Sequence, residues 1–120
     1  MIVKRIKIPI FKYNLTLIEV EEHEDYKIIG KELKRFKLSD EYYNEVIRNT
    51  RYSYDGAITF SNCSIMQIVV IIYKSSSEKN RLENINHEKR HVVDDIVASL
   101  EIKDKETPAY IDGYISSKIL

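Results

Sequence analysis

His87-Glu88-Lys89-Arg90-His91 reads H-E-x-x-H. On a helix, a separation of four residues stacks the two imidazoles on one face, close enough to grip a single metal ion. Glu88 then lies about 100° round the helix, flanking the metal instead of ligating it. Zinc suits such a pair, because it takes imidazole nitrogen at roughly 2.0–2.1 Å and in catalytic sites keeps a position open for water. The flanking carboxylate can accept that water's proton.

A catalytic zinc normally has three protein ligands, so a third must come from outside the two-histidine turn. Asp94, Asp95, Glu101, Asp104 and Glu106 are the carboxylates within reach in sequence. Asp95 lies one turn beyond His91, too far along the axis to share an ion with His87, and Asp94 or Asp95 suits the task of accepting the free ring N–H of a ligating histidine. Glu106 stands across a loop, where a carboxylate can approach from a third direction, and is the expected ligand. Zinc would polarise a substrate carbonyl while Glu88 serves first as base and then as proton donor to the leaving amine, which is amide hydrolysis. Tyr110, one turn beyond Glu106, could donate to the tetrahedral oxyanion, or pack on the sheet with its hydroxyl at the rim.

The elements that must position these groups follow from periodicity. Ile2, Ile6, Ile8 and Ile10 alternate with Arg5 and Lys7, the mark of a half-buried strand over Ile2–Pro9, and Leu15–Glu21 reads as a second strand able to pair with it as a hairpin. From about Glu24 the spacing becomes helical through Tyr26, Ile29, Leu33 and Phe36, with Gly30 a weak point. Ser39-Asp40-Glu41 is a helix start, with an end expected near Arg48 and a loop over Asn49–Gly56. Ala57–Phe60 and Ile65–Tyr73 read as strands, the second apolar on both faces and therefore well inside a sheet. Ser75, Ser76 or Ser77 caps a helix over Glu78–Leu100 with a broad apolar stripe and a polar stripe of His87, His91 and Asp95. Pro108 belongs in the first turn of a last helix, from which Ala109, Tyr110, Ile115 and Leu120 pack back. The fold class is α+β, a mixed sheet with the H-E-x-x-H helix packed on it.

Composition sets the outer limits. At 120 residues the chain is one domain, 1–120, and 43% hydrophobic with 32% charged residues describes a soluble globular protein. Lysine plus arginine equals aspartate plus glutamate at 19 each, which argues against an overall field that draws nucleic acid or anionic lipid. No secretory signal or membrane span is expected, and the single Cys63 fits a reducing compartment, so the expected location is cytoplasmic, with no membrane and no nucleic-acid partner. His23, among Glu22, Glu24 and Asp25, reads as a solvated loop residue.

Tyr54-Asp55-Gly56-Ala57-Ile58-Thr59-Phe60, the apolar strand to Tyr73, His87–His91, and Glu106-Thr107-Pro108-Ala109-Tyr110-Ile111-Asp112-Gly113-Tyr114-Ile115 together resemble the small zincin-like metallopeptidases of the glutamate-ligand (gluzincin) type. More closely, they resemble compact H-E-x-x-H proteins encoded in phages and other mobile elements of bacteria. The resemblance covers the second half of the chain. It implies zinc on His87, His91 and Glu106, Glu88 as general base, a peptide or protein substrate, and a substrate strand laid along Gln67–Tyr73. Lys89 and Arg90 depart from the uncharged residues that usually fill the motif, so either the helix is more exposed than usual or their long stems carry the charge to solvent. Two functions fit: a zinc-dependent metallopeptidase, or a zincin-like binding or regulatory protein that recruits a partner peptide to its sheet edge.

Overall fold

A computed structural model describes residues 1–119; the packing expected of Leu120 lies outside them. Four strands, β1 (Ile2–Ile8), β2 (Tyr13–Glu19), β3 (Ala57–Asn62) and β4 (Gln67–Ile72), form one sheet in the order β1-β2-β4-β3. β1 and β2 make the expected antiparallel hairpin, β3 and β4 pair antiparallel, and β2 runs parallel to β4. The sheet is therefore mixed. A parallel join needs a crossover, and the chain between β2 and β3 supplies it as two helices, α1 (Tyr26–Leu33) and α2 (Asp40–Tyr52).

Alternation along each strand sends side chains to two separate cores. On one face Ile6, Ile8, Leu15, Leu17, Ile68, Val70 and Ile72 meet helices α3 (Glu78–Ser99) and α4 (Glu106–Ile119). On the other, Ile18, Val20, Val69, Ile71 and Tyr73 meet Ile29 and Leu33 of α1 and Val46 of α2. This three-layer arrangement explains why β4 is apolar on both sides: it is a central strand, buried from Ile68 to Ile72. Among the described residues, no helix is long and apolar enough to cross a membrane.

Some boundaries differ from expectation for physical reasons. Ile10 does not continue the buried row; it is 77% exposed in the turn, at φ 71°. α2 runs on to Tyr52 because Thr50 is buried and returns its hydroxyl to the Val46 carbonyl at 2.7 Å, so no loop begins at Asn49. Cys63–Ile65 forms a short 3₁₀ turn ahead of β4, leaving Cys63 exposed. His23 is held by more than solvent, with its Nε2 3.2 Å from the Ser53 carbonyl and its ring edge-on to Tyr54. Gly30 has a packing role: a Cβ there would strike the Tyr43 hydroxyl, so glycine lets α1 and α2 approach.

Candidate metal centre

α3 starts where the Ser77 hydroxyl accepts the Asn80 N–H at 3.1 Å. Its Ile85, Val92 and Ile96 are buried against the sheet, fixing the rotation of the whole helix. That rotation turns the neighbouring stripe towards β3. Asn84 donates to the Asp55 carbonyl at 3.0 Å, Thr59 donates to Glu88 Oε2 at 2.5 Å, and Ser61 donates to Asp95 Oδ2 at 2.5 Å. Thr59 and Ser61 project from the same face of β3, two residues apart, so a helix and an edge strand are tied along their lengths.

Glu88 is the deepest of the polar groups, 6% exposed. Thr59 occupies one of its oxygens and leaves the other to the cleft. His87 and His91 are exposed, with their Nε2 atoms 3.0 Å apart and their rings edge to face at 4.7 Å between centroids. In that contact one Nε2 carries the proton and the other offers its lone pair. Tetrahedral zinc with bonds of roughly 2.0–2.1 Å needs its two nitrogens about 3.3–3.4 Å apart, so a small rotation of either ring turns the pair into a chelate. Ligand atoms of His87, Glu88 and His91 all fall within 4.8 Å of one another. The donor set thus fits a divalent transition metal of zinc's preferences. Beside it runs an open cleft of about 310 Å³, lined by Ala57, Ile58, Thr59, Glu88, His91 and Asp95.

The structure does not bring every expected residue here. Lys89 reaches across to α4, 2.8 Å from the Ser116 hydroxyl and 3.3 Å from Asp112, and it lies about 200° round α3 from His87. α4 therefore packs on the flank of α3 away from the histidines. Glu106, exposed at the start of α4, is not among the converging groups, and Tyr110, 47% exposed, lies one turn further along the same helix. Asp95 lines the cleft with His91, but its carboxylate is engaged by Ser61. Lys89 does not snorkel to open solvent either: it is largely covered and ion-paired, which accounts for a charge inside the motif.

The strand expected to receive an incoming peptide, Gln67–Tyr73, is interior to the sheet. β4 is hydrogen-bonded on both sides, by β2 and by β3, and so has no free edge. The free edge beside Glu88 and His91 belongs to β3. Sequence reading passed over Thr59 and Ser61, although the alternation of Ala57, Thr59 and Ser61 with Ile58 and Phe60 marks a face of small residues that could receive helix side chains.

Comparison with known protein families, curated proteins and solved structures finds no match to this chain.

Proposed function

We propose that the chain is a zinc-dependent peptidase of zincin-like design, acting on a peptide laid against the edge of β3. The observation that supports it is the convergence of two imidazole nitrogens, 3.0 Å apart, beside a buried carboxylate that opens on the same cleft. A zinc ion held there supplies Lewis acidity and a water whose pKa lies near neutrality. His87 and His91 hold it. Glu88, through the oxygen that Thr59 leaves free, would accept a proton from a water in the cleft and return it to the leaving amine. The β3 backbone orders the substrate by strand addition, placing its carbonyl alongside the cleft. Glu106 is not among the converging groups, so the remaining ligand positions would be open to water and substrate.

That last point favours a second reading, a zincin-like binding or regulatory protein of a phage or mobile element that captures a peptide on β3 without cleaving it. Metal content of the purified protein and cleavage of a peptide library separate the two. For the peptidase, Glu88→Gln keeps zinc and abolishes cleavage, whereas His91→Ala loses both. Stoichiometric zinc with no cleavage of any peptide by wild-type protein replaces the peptidase by the binding protein. Glu106→Gln with zinc affinity unchanged confirms a two-histidine site; a loss of affinity means that α4 moves to supply the third ligand.

A further inference from the structure

The sheet face that carries α1 and α2 is left partly exposed at one end, at Asn14, Gln67 and Asn62, while Thr16 and Val69 in the next row are buried. At that end, residues in register form two rows across all four strands. One row is Lys7, Asn14, Gln67 and Asn62; the other is Arg5, Thr16, Val69 and Phe60. Facing them stand Arg35 and Phe36, from the turn after α1. Two cavities, about 470 and 260 Å³, occupy this space and share Phe36 and Gln67, so they form one groove running from β1 to β3.

Its chemistry is uneven in an informative way. The β1 end is cationic through Arg5, Lys7 and Arg35, and no carboxylate lines either cavity. Arg5 is also ion-paired with Glu32 at 2.6 Å, a carboxylate that does not line either cavity. The middle offers the side-chain amides of Asn14 and Gln67. At the β3 end Tyr42 and Phe60 pair with ring centroids 5.2 Å apart, and Tyr42 is 48% exposed. Cations, then amides, then an accessible aromatic pair make a sequence of groups that matches phosphate, base edge and base face.

We propose that this groove binds a short stretch of single-stranded nucleic acid, with backbone phosphate on Arg5, Lys7 and Arg35 and a base stacked on Tyr42 and Phe60. The balanced total charge is no obstacle, because Arg5, Lys7 and Arg35 line the β1 end, Lys37 lines the β3 end, and no carboxylate lines either cavity. An acidic peptide would meet the cations but leave the aromatic pair and the amides without matched partners. The groove lies on the opposite side of the sheet from His87 and Glu88, so its occupancy is independent of the metal centre.

Fluorescence anisotropy with a labelled oligothymidylate about ten nucleotides long tests this on the full chain. Binding should weaken with salt, with a log–log slope of about −2 for three phosphate contacts on a single strand. Lys7→Glu with Arg35→Glu should reduce affinity at least tenfold and flatten that slope. Tyr42→Ala should cost at least about fivefold with the slope kept, since stacking carries no salt dependence. Lys79→Glu, on exposed α3, should change neither. The proposal is overturned by an absence of binding, by Lys79→Glu acting as strongly as the groove reversals, by a Tyr42→Ala protein that binds like wild type, or by a poly-glutamate peptide of equal length displacing the oligonucleotide at equal concentration. Far-ultraviolet circular dichroism confirms that each variant is folded.

Discussion

Replacing Thr59 by valine removes the hydroxyl that donates to Glu88 at 2.5 Å while keeping a β-branched side chain of nearly the same volume on the strand. Glu88 is 6% exposed, so only the cleft that it borders could admit a water in the hydroxyl's place. A hydrogen bond to a charged acceptor contributes about 1.5–3 kcal/mol, and stranding a buried acceptor brings the cost towards the upper end. For a domain of this size that corresponds to a fall in Tm of roughly 6–12 °C. Urea unfolding in the presence of a chelator reads the loss without interference from bound metal, and the m-value should be unchanged. In a Glu88→Met background the same Thr59→Val substitution should cost no more than about 0.5 kcal/mol, because both partners are then apolar. Equal losses in the two backgrounds would show that Thr59 acts through strand packing and that the Glu88 carboxylate is not held as described.

Other expectations follow from the same kind of accounting. Burial pushes the Tyr73 phenol up to about 12, an effect that the nearby Asn49 amide only partly offsets, and the hydroxyl makes no well-formed hydrogen bond. A raised folded-state pKa gives stability that is whole below the unfolded value near 10 and lost as pH rises towards 12, so Tyr73→Phe should be neutral or stabilising at pH 7 and should blunt the alkaline loss in a pH series of thermal melts. Burial works against the Asp25 carboxylate, yet the N–H groups of Glu21 and Glu22 and the terminal ammonium outweigh it and hold its pKa below the usual range. That stability is present above about pH 4 and lost as pH falls through the folded-state value, so Asp25→Asn should flatten the acid limb. Ile96→Ala opens a cavity where α3 meets the sheet and should cost about 2–5 kcal/mol by urea titration; a loss below 1 would mean that α3 is not seated on the sheet through this residue.

Much of the architecture was legible because it rests on periodicity and caps. The unbroken apolar run of β4 announced a central strand, and Ser39 and Ser77 cap their helices by accepting the N–H of Tyr42 and Asn80. The turns were harder to read, for a specific reason. The left-handed positions are taken by Ile10, Lys12, Lys37, Asp55, Met66 and Glu101, and by no glycine, so the residue that usually signals such a turn is missing from all of them. Gly56, beside Asp55, serves instead to let the Tyr73 ring pass, at 3.2 Å from where a Cβ would sit. At the site, His87, Glu88 and His91 were visible from spacing alone, since one helix carries all three. Glu106 was beyond the reach of spacing, because its position depends on how α4 packs through Ile111 and Ile115 on distant parts of the chain.

The parallel join of β2 to β4 has a consequence during synthesis. Each strand has a close neighbour in sequence with which to form a hairpin, but Asn14 meets Gln67 and Glu19 meets Ile72 only after roughly fifty further residues have emerged, several seconds at 5–20 residues per second. Through that interval the β1–β2 hairpin offers an open, apolar strand to any passing chain, since an isolated hairpin is at best marginally stable and β2 lacks its second partner. Closing the sheet is a long-range event, and long-range closure is slow. The nascent protein should therefore depend most on chaperones between the appearance of β2 and that of β4, and ribosome-bound chains halted in this window should be the most readily cleaved by protease.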